Sequence, residues 1–226
     1  MPFDLVIYDC DGTLIDTETL YAEVSLRFCH EIGLGSWTLD HYVQHLVGIP
    51  LADGFKVIEA ALGRPLPGDF EARIEAAVAE RLAQELRALP GVREAVSSLS
   101  GRRCVASSTS LEPLRHNLAL TGLLDLFDPH VFSASQVALG KPAPDVFLFA
   151  AAQMDARPAG CLVLEDSVPG VQAARAAGMQ VAGFTGVAHD KARMRERLLA
   201  AGAAVVIDGY GDWPAAAAQL AALPAA

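Results

Sequence analysis

Short β-branched runs alternate with Ala- and Leu-rich amphipathic stretches along most of the chain. The strand-like runs fall at 4–9 (DLVIYD), 103–107 (RCVAS), 130–133 (HVFS), 161–165 (CLVLE), 180–184 (QVAGF) and 204–207 (AVVI). Several are apolar at consecutive positions, as expected of parallel strands covered on both faces. Helical periodicity falls near 112–122, 144–154, 168–177, 190–201 and 213–222. This alternation predicts an α/β fold in which a parallel sheet is wound with helices on both sides. Ligands of such sheets bind at the carboxyl ends of the strands.

The interval 17–88 breaks the alternation and contains no convincing strand. Phe70, Ile74, Val78, Leu82 and Leu86 recur every four residues, an apolar stripe that drifts by about 40° per step around a helix. Leu20, Val24, Phe28 and Ile32 predict a similar stripe in a first helix. Turn signals at Gly48-Ile49-Pro50 and Arg64-Pro65-Leu66-Pro67-Gly68 divide the interval into three or four helices. The predicted organisation is a Rossmann-like, doubly wound core from 1–16 and 89–226, with an inserted α-helical domain at 17–88. The chain re-enters the core at Leu89-Pro90-Gly91, so the two crossings should lie close together. The Ala-rich stretch 214–226 reads as a last helix and a frayed end.

Composition narrows the chemistry. With 52% hydrophobic and 19% charged residues, the 226-residue chain can supply a well-buried core. A formal charge of −10, with 17 scattered basic residues, argues against nucleic acid or an anionic membrane as partner. An anionic small molecule would have to be held locally, by a metal or a placed lysine. No stretch approaches the roughly 18 continuous apolar residues of a membrane span. Asp4 interrupts the first apolar run and no basic segment precedes it, so no signal peptide is expected. Cys10, Cys29, Cys104 and Cys161 form no close pair, which suits reduced thiols in a cytoplasmic protein.

Four motifs carry candidate chemistry. Asp9-Cys10-Asp11-Gly12-Thr13 follows the first strand, and Gly12 permits a turn that brings both carboxylates to the strand's end. One can attack an electrophile while the other handles a leaving-group proton; a helix-capping turn is the plainer alternative. Glu165-Asp166-Ser167 ends another apolar strand and precedes a turn at Gly170. Like charges 4 Å apart repel by about 4 kcal/mol at an effective dielectric of 20, and a hard cation with oxygen ligands relieves that. Asp166 alone could instead cap the next helix. Lys141, in Gly140-Lys141-Pro142-Ala143-Pro144, sits in a stiff loop where it could offset a nucleophile's charge and grip phosphate; a solvated lysine is the bland alternative. Ser107-Ser108-Thr109-Ser110 ends the second core strand, where hydroxyls and N–H groups can bind phosphate oxygens or simply form a polar loop.

Taken in chain order (Asp9-Cys10-Asp11-Gly12-Thr13, Ser107, Lys141 and Glu165-Asp166-Ser167), each at a strand end, these motifs resemble the haloacid dehalogenase-like superfamily, in its group with a helical cap inserted after the first strand. The stretches KPAPDVF and LEDSVPGVQAARAAGM look like those of sugar-phosphate phosphatases and β-phosphoglucomutases. The resemblance implies that Asp9 forms an aspartyl-phosphate and that Asp11 protonates the leaving oxygen and then activates water. It implies that Ser107, Ser108 and Lys141 hold the phosphoryl group. Mg2+ would be bound by Asp9, the backbone carbonyl of Asp11 and Asp166, with Glu165 in support. Family dehalogenases resemble the pattern without the second aspartate. A phosphonatase would need a Schiff-base lysine in the cap, where Lys56 is the only lysine. The stretch 17–21 lacks a histidine and the turn Leu46-Val47-Gly48-Ile49-Pro50-Leu51 lacks Lys and Arg, which favours hydrolysis over mutase chemistry without removing the latter. His41 and His45 are candidate polar contacts or packing residues. A non-catalytic ligand-binding relative is the third reading. The implied substrate is a small phosphorylated carbohydrate, 6-phosphogluconate among the candidates, and the expected state is a monomer or weak homodimer.

Overall fold

A computed structural model describes residues 3–47 and 51–222. The predicted turn at Gly48-Ile49-Pro50 and the end of the Ala-rich tail, 223–226, lie outside the described residues. The chain divides into two compact units, Met1–Asp16 with Arg87–Ala226 and Thr17–Leu86.

The first unit is built on six strands: β1 (Leu5–Tyr8), β2 (Arg103–Ser107), β3 (Val131–Ser133), β4 (Cys161–Glu165), β5 (Gln180–Phe184) and β6 (Val205–Ile207). Their order is β3-β2-β1-β4-β5-β6, and every neighbouring pair is parallel. The winding runs outward from β1 through β2 to β3 and then restarts on its other side at β4. That reversal opens a crevice at the carboxyl ends of β1 and its neighbours, where sheets of this kind take their ligands. All four residues of β1 and all five of β4 are buried, which is why these strands read as unbroken apolar runs.

The second unit holds four helices, α1 (Glu18–Glu31), α2 (Leu39–Leu46), α3 (Leu51–Leu62) and α4 (Phe70–Glu85), and no strand among its described residues. Phe70, Ile74 and Val78 of α4 pack with Val24 and Phe28 of α1, Tyr42 of α2 and Ile58 of α3. The rings of Phe28 and Phe55 both meet Phe70 edge-on, at 6.3 and 6.0 Å. The stripe predicted for α1 shifts: Leu20 and Ile32 are only half-buried, while Ala22, Ser25 and Cys29 join Val24 and Phe28 inside. In α1 a four-residue repeat outruns the 3.6-residue turn, so its ends rotate off the buried face; in the α4 stripe Leu82 is half-buried and the other four residues are buried. His41 and His45 stack on one another at 4.3 Å, with Trp37 4.7 Å from His41.

Helices α5 (Val92–Ser98), α6 (Leu111–Leu120), α7 (Leu124–Phe127), α8 (Asp145–Gln153), α9 (Val168–Ala176), α10 (Lys191–Ala201) and α11 (Trp213–Ala221) complete the first unit. The helices α5 and α7 escape the sequence periodicity because seven and four residues are too few to show it. Alternate strand residues (Leu5, Ile7, Cys104, Ala106, Val163, Val181) pack with α8, α9 and Leu198 of α10 in one core. On the opposite face Tyr8 meets Phe127 of α7 and Trp213 of α11 edge-on, at 5.6 and 5.9 Å. Leu89 N donates to Leu14 O at 2.9 Å and Ile15 bridges Ala88, so departure and return of the chain are adjacent and the return begins at Arg87 and Ala88. All four cysteines are free and buried. No helix of the described residues is long and apolar enough to cross a membrane.

Two long-range side-chain bonds tie the segment after β6 to β1 and the loop that follows it. Trp213 Nε1 donates to the Tyr8 hydroxyl at 3.0 Å, and the buried Tyr210 hydroxyl donates to Thr13 O at 2.8 Å. Tyr210→Phe removes the second donor and strands a carbonyl in a residue with no solvent exposure. Chemical denaturation should show a loss of about 1–3 kcal/mol. An unchanged unfolding midpoint would mean that the loop is held by its own turn alone.

Candidate functional site

The carboxyl edge of the sheet gathers the acidic motifs by strand pairing. Tyr8 is in register with Leu164, and Asp9 N donates to Leu164 O at 3.0 Å, so Asp9 lies beside the end of β4. Beyond Asp9 the chain turns sharply, with Thr13, Leu14 and Ile15 N all directed at Cys10 O. Gly12 makes the turn at φ +76°, and an added Cβ there would sit 2.1 Å from Asp166 Oδ2. Both demands select glycine. Thr13 Oγ1 donates to Asp166 Oδ1 at 3.2 Å, joining the first motif to Glu165-Asp166-Ser167.

Carboxylate oxygens of Asp9, Glu165 and Asp166 all lie within 4.8 Å of one another. Asp9 and Glu165 are buried, at 6% and 1% exposure. Lys141 enters from the loop between β3 and α8, with its side chain only 5% exposed. Its Nζ donates to Asp9 Oδ1 at 2.5 Å, Glu165 Oε1 at 2.7 Å and Ala106 O at 3.2 Å, which uses all three ammonium protons. The Phe147 ring lies 4.8 Å from Nζ. The solvated-lysine alternative is thereby excluded. Pro144 stands at the N-cap of α8, and Ala143 N donates to Gly140 O at 3.0 Å, so Lys141 sits in a hydrogen-bonded turn that leads into the helix.

The capping alternative for Asp166 is also settled, because Ser167 caps α9 by accepting Gly170 N at 3.1 Å. Ser167 has a second duty: its N and Oγ donate to Glu165 Oε2 at 2.7 and 2.9 Å. Glu165 is thus held on both oxygens, by Lys141 on one side and Ser167 on the other. Gly170 lies in the first turn of α9 rather than in a turn before it, and a Cβ there would fall 1.7 Å from Glu165 Oε1.

Asp11 points elsewhere. Its Oδ2 accepts from Thr109 Oγ1 at 2.6 Å and from Ser107 Oγ at 3.4 Å. Ser107 is buried at the end of β2, whereas Ser108 is exposed. Thr109 belongs to the hydroxyl run seen in the sequence, but nothing in its spacing links it to Asp11. Thr13, Phe147 and Ser167 are likewise site residues whose contacts only the fold brings about.

Two carboxylates, of Asp9 and Glu165, therefore share one buried ammonium, with Asp166 beside them in the oxygen cluster. Burial pushes the Asp9 carboxyl up to about 8; Lys141 opposes the shift, while Glu165 and Asp11 add to it. For Lys141, burial works against the charge, yet Asp9 and Glu165 outweigh it and hold the ammonium above the usual lysine range. The unbalanced negative charge and an all-oxygen donor set suit a hard divalent cation, with Asp9, Glu165 and Asp166 as the carboxylates able to hold it.

The description "haloacid dehalogenase-like hydrolase" belongs to a family profile that matches residues 3–178, a stretch containing all four motifs. The phosphorylated carbohydrates phosphatase of Thermotoga maritima is 32% identical over 208 residues, covering 90% of this chain and 94% of that protein. A conserved haloacid dehalogenase-like protein of unknown function from Agrobacterium tumefaciens has a crystal structure that matches with a TM-score of 0.89 at 36% identity, over 97% of this chain and 99% of that one. A crystal structure of a family hydrolase from Deinococcus radiodurans, with bound phosphate and sodium, matches with a TM-score of 0.86 at 28% identity, over 100% and 99% of the two chains.

The Gly170 contact is open to test. Gly170→Ala must drive the Glu165 carboxylate off Lys141 and Ser167, with an expected loss of about 2–3 kcal/mol in thermal or chemical unfolding. Gly209→Ala, where an added Cβ meets nothing within 4 Å, should leave stability unchanged. Equal behaviour of the two variants would show that Glu165 is not held as described.

Proposed function

The chain belongs to the haloacid dehalogenase-like hydrolase family, and on that footing we propose that it is a magnesium-dependent phosphatase acting on a small phosphomonoester through an aspartyl-phosphate on Asp9. The observation that carries this reading is the buried Asp9 carboxylate, gripped by Lys141 at 2.5 Å within a cluster of carboxylate oxygens. A carboxylate so fixed has one orientation from which to attack, and fixed orientation is a large part of what such a site contributes.

In this reading an Asp9 oxygen forms a bond to phosphorus as the ester P–O bond breaks. The electron pair goes to the leaving oxygen, which takes a proton from the Asp11 carboxyl. Water then attacks phosphorus, Asp11 takes its proton back from that water, and the P–Oδ bond of Asp9 breaks to release phosphate. Lys141, Ser107 and Ser108 are the groups proposed to hold phosphoryl oxygens. The buried oxygen cluster fits Mg2+, which would be held by Asp9, Asp166 and the Asp11 carbonyl, with Glu165 supporting through its bonds to Lys141 and Ser167. The ion would offset charge on the phosphoryl oxygens.

The carbohydrate phosphatase relative supports a sugar or sugar-acid phosphate as substrate. The helical unit Thr17–Leu86 is proposed to choose the leaving group, as the resemblance implies.

A panel of sugar phosphates, sugar-acid phosphates (6-phosphogluconate included) and an aryl phosphate, each with magnesium and with chelator, tests the reading. Phosphate release should require magnesium and fall at least about 1000-fold in Asp9→Asn. Asp11→Asn should slow release of a sugar phosphate by about 100- to 10,000-fold. Release that survives in Asp9→Asn would end the covalent reading, and no release from any member by folded protein would end the phosphatase reading.

A further inference from the structure

Asp11 is one of the motif residues whose carboxylate is directed to a hydroxyl partner. Thr109 Oγ1 donates to Asp11 Oδ2 at 2.6 Å, the short distance of a hydroxyl bonded to a carboxylate. Thr109 is itself fixed at both main-chain groups. Its N donates to Ser107 Oγ at 3.1 Å, and its O accepts from Ser133 Oγ at 2.6 Å. Ser133 ends β3 in register with Ser107 and has no solvent exposure. Its Oγ also accepts from Ser135 N at 3.0 Å, and its N donates to Gln136 Oε1 at 2.8 Å. A chain of bonds therefore runs from the end of β3, through Thr109, to the Asp11 carboxylate.

Resting on the phosphatase reading, we infer that Thr109, braced by Ser133, is a positioning residue that sets the orientation of the Asp11 carboxylate for proton transfer to the leaving oxygen. The torsion that turns a carboxylate about its own axis is broad and poorly defined by itself. A single strong donor on one oxygen removes that freedom. Threonine suits the task because branching at Cβ restricts χ1, so the hydroxyl that holds Asp11 has little freedom of its own. The main-chain bonds to Ser107 and Ser133 then fix where that side chain starts. Misplacing a reacting group by about an ångström costs on the order of 100-fold in rate, so orientation alone is enough to make Thr109 matter.

The test uses Thr109→Val, which keeps the shape and removes the hydroxyl, and Thr109→Ser, which keeps the hydroxyl. Each is assayed beside wild type and Asp9→Asn on the best sugar phosphate and on nitrophenyl phosphate, whose leaving group departs readily without a proton. Thr109→Val should lower kcat on the sugar phosphate by about 10- to 100-fold with no rise in KM. Its kcat/KM should fall less on nitrophenyl phosphate than on the sugar phosphate, because only the latter needs a well-aimed proton. Thr109→Ser should recover most of the loss, and Ser133→Ala should give a smaller loss of the same kind. Three results would overturn the inference: a raised KM with kcat unchanged, which would make Thr109 a substrate ligand; equal losses on both substrates; or a serine variant no better than valine. Wild type and Asp9→Asn separate this from the reading beneath it. If wild type releases no phosphate, the phosphatase reading fails, and if wild type releases it and Asp9→Asn does so equally, the covalent reading fails. If those two behave as proposed and Thr109→Val equals wild type, only the role of Thr109 fails.

Discussion

Lys141 is the point through which the charge of the site is balanced. Its three protons go to the Asp9 carboxylate, the Glu165 carboxylate and the Ala106 carbonyl, and almost none of the side chain meets solvent. A buried ammonium survives only when such partners replace its water, and buried carboxylates survive only when a cation offsets them. The strand order supplies both, since β1 lies between β2 and β4 and brings the ends of all three strands within one lysine's reach. Ser167 then takes up the far oxygen of Glu165, and the missing Cβ of Gly170 makes room for that carboxylate. Burial is what chiefly raises the Asp9 carboxyl, with Glu165 and Asp11 adding to the shift and Lys141 opposing it. The buried, all-oxygen cluster of Asp9, Glu165 and Asp166 has the donor chemistry that suits a hard cation, and that statement rests on the residues alone.

Much of this was legible in the sequence because parallel strands announce themselves. The runs at 103–107, 161–165 and 180–184 coincide with β2, β4 and β5, since burial on both faces leaves no polar interruption to blur their limits. The acidic motifs were visible for a related reason: charged residues directly after an apolar strand are conspicuous. The side chains that brace them were not. Thr109 looks like part of a serine-rich loop, and Phe147 looks like an ordinary core residue of α8 until Lys141 is placed over its ring. Such contacts depend on χ angles and on loops meeting across the sheet, which a one-dimensional pattern does not encode. Gly170 shows the same limit from the other side. It suggested a turn, but its role is steric, in the first turn of a helix, and the group it makes room for is five positions earlier.

The helical unit shows how far periodicity can be pushed. A strict four-residue repeat finds α1 and α4 but misplaces the ends of the buried face in α1, because the repeat and the helix turn differ. In α1 the buried set broadens to take in Cys29 and Ser25, the latter a polar side chain that no hydrophobic count would select.

The bond from the Tyr210 hydroxyl to the Thr13 carbonyl spans 197 positions of sequence, and the family profile stops at residue 178, well short of Tyr210. The two ends of that bond are therefore separated in time as well as in sequence. A nascent chain that has just completed α9 already carries every candidate carboxylate and Lys141, but not yet the tyrosine whose hydroxyl binds the nucleophile loop. Directional synthesis thus delivers the Tyr210 hydroxyl only after every residue of the acidic cluster has been made.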